Sequence, residues 1–427
     1  MSSYSELMID LSVAEAAAGR FASAASLLHS VLGASGRDAF VLYGLGHMEY
    51  RRGNYAEAVE LLRQSVAMDA TNAKAHNDLG LALFALGHDQ AAFASLMNGW
   101  MRDEELALAV MTEGMEMLRR DACVAGWLKY EARLIARPGI RPRRDIPGPR
   151  WLGREDIAGQ TILLHSEQGY GDAIQFVRYV PWVVERGARI LLEGHPGLMP
   201  LFRDLAGVAG VFALNEALPP FDVQCPLMSL PLAFRTDLAR IPAQIPYLHA
   251  RQELIGTWRQ RLGPPAGLRV AIVWSGNPAN EADQERSIPL ATLIPLLDVP
   301  GCEFHVIQTD VRPADRAVLD RLPAVRDHSA VSRDFAETAA LISLMELVIS
   351  VDTSLAHLAG ALGLPVWLLL TGNPDWRWMA GRDDTPWYPT MRLFRQDVAG
   401  DWASVAATVA AELAAGQLSS SRRIGSR

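Results

Sequence analysis

The chain has 427 residues, of which 50% are hydrophobic, 21% charged and 7% aromatic. This composition is typical of a globular protein with two or three domains, and it excludes disordered, collagen-like and coiled-coil chains. The formal net charge is −8, so non-specific binding to nucleic acid is not expected. Lys74 and Lys129 are the only lysines, and the other 38 basic residues are arginine. An anion site in this chain must therefore use arginine, histidine or backbone N–H groups.

The spacing of the cysteines and the length of the apolar runs bear on the cellular compartment of the protein. Cys123, Cys225 and Cys302 lie far apart without a C-x-x-C pair, which is typical neither of a disulfide framework nor of a zinc site. Between Met1 and Asp10 no positively charged segment precedes an apolar stretch, so a signal peptide is not expected. No apolar run reaches the roughly 18 residues of a membrane-spanning helix. We expect a cytoplasmic protein with no transmembrane segment.

The first hundred residues contain an internal repeat. Six small residues follow a step of 34 positions: Gly19, Gly53 and Gly87, and Ala24, Ala58 and Ala92. This period is typical of tetratricopeptide repeats, in which helix pairs stack into an α-solenoid and small residues allow close packing. Residues 1–106 are predicted to hold three copies, at about Ser5–Asp38, Ala39–Asn72 and Ala73–Leu106. The groove of such an array is expected to bind a peptide or another domain.

Residues 107–150 are predicted to bridge the repeats to the rest of the chain. Glu104–Ile135 is expected to form a continuing helix. Ala136–Arg150 carries four prolines and five arginines, which predicts an extended linker. The arginines could form a patch that binds phosphate or an acidic partner, but we favour the interpretation that they are solvated residues of the linker. At the far end, residues 416–427 are predicted to be a disordered tail.

From Thr161 onward, short apolar runs alternate with helical stretches, which predicts two α/β domains with parallel sheets. In residues 151–262 we predict strands at Thr161–Leu164, Ala188–Leu192, Val208–Leu214 and Val223–Pro226, and helices at Ala173–Glu185 and up to Leu262. In residues 263–415 we predict strands at Arg269–Trp274, Glu303–Gln308, Leu347–Ser350 and Pro365–Leu370, and helices at Asp334–Leu344, Ser354–Ala361 and Trp402–Ala414. Ligands of such folds bind at the carboxyl ends of the strands, so the loops after strands are the candidate sites.

The loop after the first predicted strand contains Glu167, Gln168, Gly169 and Gly171, followed by Asp172. The two glycines form G-x-G without the third glycine of a dinucleotide fingerprint, so a nicotinamide cofactor is not expected. Asp172 lies near the start of the next helix. It is either a helix cap or a carboxylate base at the mouth of a cleft, and the spacing leaves both roles open.

The first strand of the second half runs into a turn at Gly276 and Asn277, where the backbone can approach a ligand closely. Arg286 and Ser287 follow at the opening of the next helix. The guanidinium fork of Arg286 suits bidentate contact with a phosphate at the strand end. A surface arginine in a flexible loop is the alternative.

The segment after Leu347–Ser350 is the most informative one. Asp352, Thr353 and Ser354 open a helix directly after a strand, which presents hydroxyls and successive N–H groups at a helix N-terminus. Such a terminus is an anion site well shaped for a diphosphate. His357 lies on the first turn and faces the same ligand if it points inward. A structural histidine is the alternative.

These segments resemble a glycosyltransferase family. The resemblance rests on E-Q-G-x-G-D-x-I-Q-F-x-R-Y at Glu167–Tyr179, W-S-G-N-P at Trp274–Pro278, Arg286-Ser287, D-T-S-x-x-H-L-A-G-A-x-G-x-P at Asp352–Pro365, and D-W-R-W and W-Y-P at Asp375–Trp378 and Trp387–Pro389. They are similar to heptosyltransferase-type (family 9) GT-B enzymes. Repeats joined to such a module also resemble protein O-linked N-acetylglucosamine transferases (family 41). Bacterial repeat-containing glycosyltransferases match over nearly the whole chain.

The resemblance implies a fold and a mechanism. The fold is an N-terminal tetratricopeptide α-solenoid followed by a GT-B pair of Rossmann-like doubly wound domains, with the acceptor on the first and the nucleotide-sugar on the second. It implies an inverting, metal-independent transfer with Asp172 as the base and the diphosphate on the D-T-S helix. The nucleotide-sugar is a co-substrate, so no cofactor is implied. Relatives often use a lysine for the diphosphate. Because the second half has none, Arg286, His357 and the helix from Ser354 are expected to hold it.

The acceptor and the activity itself have alternatives. The repeat groove favours a protein acceptor, modified on Ser or Thr. A non-catalytic scaffold with a degenerate GT-B module, a lipopolysaccharide-type sugar transferase and a sugar-nucleotide epimerase are the other possibilities. The aromatic residues near the C-terminal motifs either stack on the base or sugar or pack in the core: Trp376, Trp378, Trp387 and Tyr388.

Overall fold

A computed structural model describes residues 3–35, 37–121, 123–136, 146–279, 283–330 and 334–416, with side chains from Leu7 onward except that of Ser35. The chain forms two compact units, Met1–Met115 with Leu128–Arg141, and Glu116–Trp127 with Pro142–Arg427. The predicted tail from residue 417 and most of the predicted linker, 137–145, lie outside the described residues.

The N-terminal part is helical. Its helices are α1 (Ser3–Ala17), α2 (Phe21–Ser35), α3 (Ala39–Arg51), α4 (Tyr55–Met68), α5 (Ala73–Ala85), α6 (Asp89–Arg102), α7 (Glu104–Arg120), α8 (Val124–Tyr130) and α9 (Arg133–Ala136). The first six form three pairs, one in each predicted copy, which confirms the repeats. The single helix expected over Glu104–Ile135 is wrong. The chain turns near Asp121, and again where the N–H groups of Glu131 and Ala132 bond to carbonyls three residues back.

Glycines serve two purposes in the repeats. Three of them join the helices of a pair in left-handed backbone, with φ of +75°, +85° and +81°: Gly19, Gly53 and Gly87. A Cβ atom at Gly19 or Gly53 would meet no atom within 4 Å, so these two glycines serve the turn rather than close packing. Gly46 is a packing glycine, because a Cβ atom would lie 2.5 Å from Cγ of Leu62.

The first sheet has four strands. In chain order this half contains β1 (Thr161–His165), α10 (Tyr170–Phe176), α11 (Val180–Glu185), β2 (Arg189–Gly194), α12 (Met199–Phe202), β3 (Val208–Ala213), β4 (Val223–Pro226), α13 (Leu230–Ala233) and α14 (Gln252–Leu262). The strand order is β3-β2-β1-β4, and all pairs are parallel. β2 and β3 are added on one side of β1, and β4 is added on its other side, so the strand order reverses between β1 and β4.

The helix predicted at Ala173–Glu185 begins earlier and is interrupted. Asp172 caps α10, because its Oδ2 accepts the N–H of Gly169 at 2.9 Å. A 3₁₀ turn separates α10 from α11. Pro181 lies in the first turn of α11 and lacks the N–H that a continuous helix needs.

The second sheet has six strands. This half contains β5 (Leu268–Val273), α15 (Asp283–Arg286), α16 (Ile294–Leu297), β6 (Cys302–Val306), α17 (Pro313–Leu319), β7 (Arg326–Asp327), α18 (Phe335–Ile342), β8 (Leu347–Val351), α19 (Ser354–Ala361), β9 (Val366–Leu370), β10 (Met391–Arg395) and α20 (Trp402–Ala414). The order is β10-β9-β8-β5-β6-β7, again parallel throughout. The chain has helical repeats followed by two parallel α/β sheets, which confirms the GT-B fold class.

The outermost strands, β7 and β10, are absent from the sequence-based prediction. β7 has two residues, which is too short for a pattern. β10 carries Arg392 and Arg395 between its buried apolar residues, as edge strands do. The central strands β8 and β9 are buried along their whole length, which explains why their apolar runs were recognised.

Candidate functional site

The candidate loops lie at the switch points of the two sheets. In the first sheet the strand order reverses between β1 and β4, and residues 166–169 follow β1. In the second sheet it reverses between β5 and β8, and these neighbours are followed by the loops at Gly276 and Asp352. Crevices form where strand order reverses, outside the carboxyl ends of the strands, so both loop groups lie where a ligand of this fold binds.

Helices α10 and α19 bring the two sets of loops into contact. A Cβ atom at Gly171 would lie 2.9 Å from Cδ2 of His357 and 3.5 Å from Cα of Ser354. The absence of a side chain at Gly171 therefore permits the crossing. Asp172, the next residue, is held beside the first turn of α19.

Asp172 is a helix cap with a partly accessible carboxylate. Its Oδ2 accepts from the Gly169 N–H, and its Oδ1 forms an ion pair with Nη2 of Arg377. The side chain keeps 19% of its surface exposed. The capping role is thus present in the structure, and the accessible carboxylate leaves room for a second role.

Arg377 links the two halves, and sequence reasoning assigned it no role. Its Nη1 donates to Asp375 Oδ1 at 2.8 Å and its Nε donates to Gln175 Oε1 at 2.8 Å, while Nη2 pairs with Asp172. The following residue, Trp378, donates Nε1–H to Asp352 Oδ2 at 2.8 Å. The D-W-R-W motif was the only signal, because its partner Asp172 is 205 residues away.

The start of α19 is partly open. Thr353 precedes the helix in extended backbone, with φ of −141° and ψ of 169°, and no side-chain cap covers it among the residues that the structure describes. Its hydroxyl lies 3.2 Å from that of Ser350. Asp352, Thr353 and Ser354 are all half-buried. The N-terminal N–H groups and the helix dipole are thus available to an anion.

Burial shifts the pKa values of two titratable groups, one just before α19 and one within it. Burial, followed by repulsion from Asp375, raises the pKa of Asp352 to about 6. Burial, followed by Arg377 and Arg178, lowers the pKa of His357 well below its ordinary value. His357 Nδ1 is 2.8 Å from the hydroxyl of Tyr388. As a neutral ring, His357 can hydrogen-bond but brings no positive charge to a diphosphate.

Arg286 supports the loop before α19. Its Nη1 donates to the backbone carbonyl of Asp352 at 2.9 Å, and its Nε lies 3.6 Å from Asp283. A Cβ atom at Gly276 would lie 2.5 Å from Nη2 of Arg286, so a side chain there would displace the guanidinium. The side chain is 21% exposed. Arg286 therefore lies at the strand ends, where the sequence placed it.

The remaining predicted residues form contacts within or near their own loops. Ser287 Oγ donates to Asp283 at 3.0 Å and accepts the Gly276 N–H, which closes its loop. Asn277 is exposed and accepts the N–H of Ala279. In the loop after β1, the Gln168 carbonyl is 2.5 Å from Nε2 of His195. Glu167 is half-buried, and Gly169 donates to Asp172.

The aromatic residues of the C-terminal motifs pack in the core. Trp378, Trp387 and Tyr388 are fully buried, and Trp376 is 4% exposed. Trp378 stacks on His357 with ring centroids 5.2 Å apart. Of the two alternatives left open by the sequence, core packing is therefore the one observed.

Within the described part of the chain, no helix is long and apolar enough to cross a membrane. No group of three or more His, Cys, Asp or Glu side chains among the same residues is arranged to hold a metal ion.

Two family models match the chain. A TPR repeat model matches residues 46–87, and a model for glycosyltransferase family 9 (heptosyltransferase) matches residues 330–378, which include α19 and Arg377. The chain thus joins tetratricopeptide repeats to a segment that matches glycosyltransferase family 9. It is therefore a glycosyltransferase, as the motifs predicted.

Several known proteins are similar to this chain. Protein FlbA of Caulobacter vibrioides is 26% identical over 422 residues, spanning 92% of this chain and 70% of FlbA. The glycosyl transferase family 9 structure from Veillonella parvula aligns with a TM-score of 0.45 and 11% identity, covering 62% of this chain and 98% of that one. The E. coli ADP-heptose lps heptosyltransferase II aligns with a TM-score of 0.43 and 13% identity, covering 60% and 98%.

Proposed function

We propose that the protein is an inverting, metal-independent glycosyltransferase that moves a sugar from a nucleotide-sugar to a Ser or Thr hydroxyl of a protein held by the repeats. The contact of Gly171 with Ser354 and His357 is the observation that carries the proposal. It sets the carboxylate of Asp172 beside the helix terminus that suits a diphosphate.

The chemistry follows from this arrangement. Asp172 takes the proton from the acceptor hydroxyl while the oxygen of that hydroxyl attacks the anomeric carbon. The bond from that carbon to the diphosphate breaks, and its electron pair leaves with the diphosphate. The N–H groups of α19 and the guanidinium of Arg286 stabilise the developing charge. A single displacement of this kind inverts the anomeric centre.

Arg286 and the backbone N–H groups at the start of α19 are proposed to stabilise the diphosphate in place of a metal ion. Metal-dependent glycosyltransferases carry a D-x-D motif, and the sequence contains none. Arg286 supplies a permanent positive charge close to the Asp352 carbonyl. No cofactor is required, because the nucleotide-sugar is a co-substrate.

The repeats favour a protein acceptor over a lipid-linked sugar. Exposed large hydrophobic side chains of the described residues concentrate in the first unit: Leu7, Leu11, Val13, Phe40, Met68, Leu86, Met101 and Leu108. Apolar side chains exposed on a repeat array are available to bind a protein segment. We place the reaction in the cytoplasm, since Cys123, Cys225 and Cys302 are all free thiols.

The test is turnover of a donor panel. Purified protein is incubated with UDP-, GDP-, ADP- and CMP-sugars, and released nucleotide is measured with and without an array of Ser- and Thr-containing peptides. We expect one donor class to be consumed, with sugar appearing on peptide. The proposal fails if no donor is bound or turned over. Transfer to lipid-linked sugar alone supports the lipopolysaccharide-type alternative, and conversion of a UDP-sugar without acceptor supports an epimerase.

A further inference from the structure

The charge of a bound diphosphate is not balanced by the residues considered so far. A nucleoside diphosphate group carries at least two negative charges, and neither lysine of the chain lies in the second half. His357 is buried and neutral. Arg286 provides one cation, and its Nη1 is already committed to the Asp352 carbonyl. A second cation beside α19 is needed.

Arg377 is the cation in the right place. Arg377 lies in a short 3₁₀ helix, Trp376–Trp378, that follows β9 in the second half. Its side chain contacts Asp172 and Gln175 on α10. Trp378, the next residue, is tied to Asp352 and stacks on His357. The guanidinium therefore lies beside the carboxylate of Asp172, and the next residue holds the loop and the ring at the start of α19. Its positive charge also acts on both Asp352 and His357, which is consistent with this position.

We propose that Arg377 is the second cation of the donor site, and that the arriving diphosphate draws it away from Asp172. This inference rests on the proposed function of the site. Without donor, the guanidinium is shared by Asp172 and Asp375. With donor, Arg377 moves onto the diphosphate oxygens, for which its planar fork is well suited.

The exchange of partners couples donor binding to catalysis. Asp172 Oδ1 loses its ion pair only when the diphosphate is present, so the base becomes available when there is a sugar to transfer. The acceptor proton then goes to Asp172, the new bond forms at the anomeric carbon, and the diphosphate leaves with the electron pair and stays paired with Arg377. An unloaded enzyme keeps its carboxylate masked.

The first test measures affinity by calorimetry with UDP, GDP, ADP and CDP. We expect Arg377→Gln to weaken binding of the preferred diphosphate by about 10- to 100-fold, since a charge-assisted hydrogen bond is lost. Arg377→Lys should recover part of that loss. Arg382→Gln is the matched control, because Arg382 lies on the same loop and pairs with Asp384 at the surface, and it should bind as the wild type does. Melting curves establish that each variant is folded.

The second test separates partner exchange from simple charge removal. Asp172→Asn frees Arg377 and should tighten diphosphate binding several-fold. In the Arg377→Gln background the same substitution should have little effect. The inference is overturned if Arg377→Gln binds as the wild type does, or if the gain from Asp172→Asn persists undiminished in the double variant. If the wild type binds none of the four diphosphates, the proposed function fails as well.

Discussion

Both α/β halves are built on parallel sheets, and they differ in the balance of charged side chains around their strand ends. The first half presents carboxylates after β1 and at the end of β2: Glu167, Asp172 and Glu193. The second half presents arginines around the ends of β5, β6 and β9: Arg286, Arg312 and Arg377. The carboxylate of Asp283 in that half is paired with Arg312.

The proposed function assigns different tasks to the two halves of this lysine-poor chain. In it, one half supplies a group that accepts a proton, and the other supplies groups that stabilise a leaving anion. Neither half is sufficient alone, so the contact between α10 and α19 matters as much as the residues at each strand end. The predictions below test each part of this division of roles.

The largest effect is expected at the proton acceptor. Asp172→Asn should lower the rate of sugar transfer by about 10²- to 10⁴-fold, the range that a general base contributes. Asp237→Asn, an exposed position in the same half, is the control and should retain full activity. The measurement is single-turnover transfer with the donor identified by the panel. Transfer within a few-fold of the wild type would place the base elsewhere.

The second effect is a pH dependence of stability at Asp352. Burial raises its pKa from 3.8 to about 6, so the folded state holds the proton more tightly than the unfolded state. Its favourable contribution is complete below pH 3.8 and is lost as the pH rises to about 6. At pH 7, Asp352→Asn should be more stable than the wild type by up to about 3 kcal/mol.

Denaturant unfolding of both proteins at pH 4 and pH 7 measures this difference. Asp384→Asn is a control of opposite sign, because Arg382 lowers the pKa of that carboxyl. Equal stability of the wild type and Asp352→Asn at both pH values would contradict the shift.

The third effect concerns the contact between the halves. Gly171→Ala places a methyl group 2.9 Å from Cδ2 of His357, a ring that cannot yield because it is bonded to Tyr388 and stacked on Trp378. We expect a loss of about 1–3 kcal/mol in stability. Gly169→Ala is the matched control, since its nearest contact would be an ordinary 3.5 Å, and it should change stability by less than about 0.5 kcal/mol. Equal melting temperatures for the two variants would refute the packing argument.

The smallest effect is expected at an exposed ion pair within the first half. Arg251 precedes α14 and pairs with Asp204 of the first half at 2.7 Å, with 37% and 55% of the side chains exposed. Arg251→Gln should cost less than about 0.5 kcal/mol, because solvent screens such pairs. A larger loss in the melting curve would mean that solvent screens this surface pair less than expected and that the pair contributes substantially to the stability of the first half.

Much of the fold was predictable because it depends on local patterns. The 34-residue step locates three helix pairs, and the apolar runs locate the central strands. Helices Ser354–Ala361 and Trp402–Ala414 have the predicted bounds. The errors arise where a local pattern is weak. β7 is two residues long, and the turns that interrupt Glu104–Ile135 carry neither glycine nor proline.

By itself, the sequence determined the order of elements, the loops at the strand ends and the residue types that can bind a diphosphate, because spacing and composition are properties of the chain. Only the tertiary structure decided the charge and the partners of those residues. Burial makes His357 neutral, and packing of α10 on α19 brings Asp172 to Arg377. Desolvation and pairing depend on neighbours that are distant in sequence, so the cation beside Asp172 could be identified only once both sheets were in place.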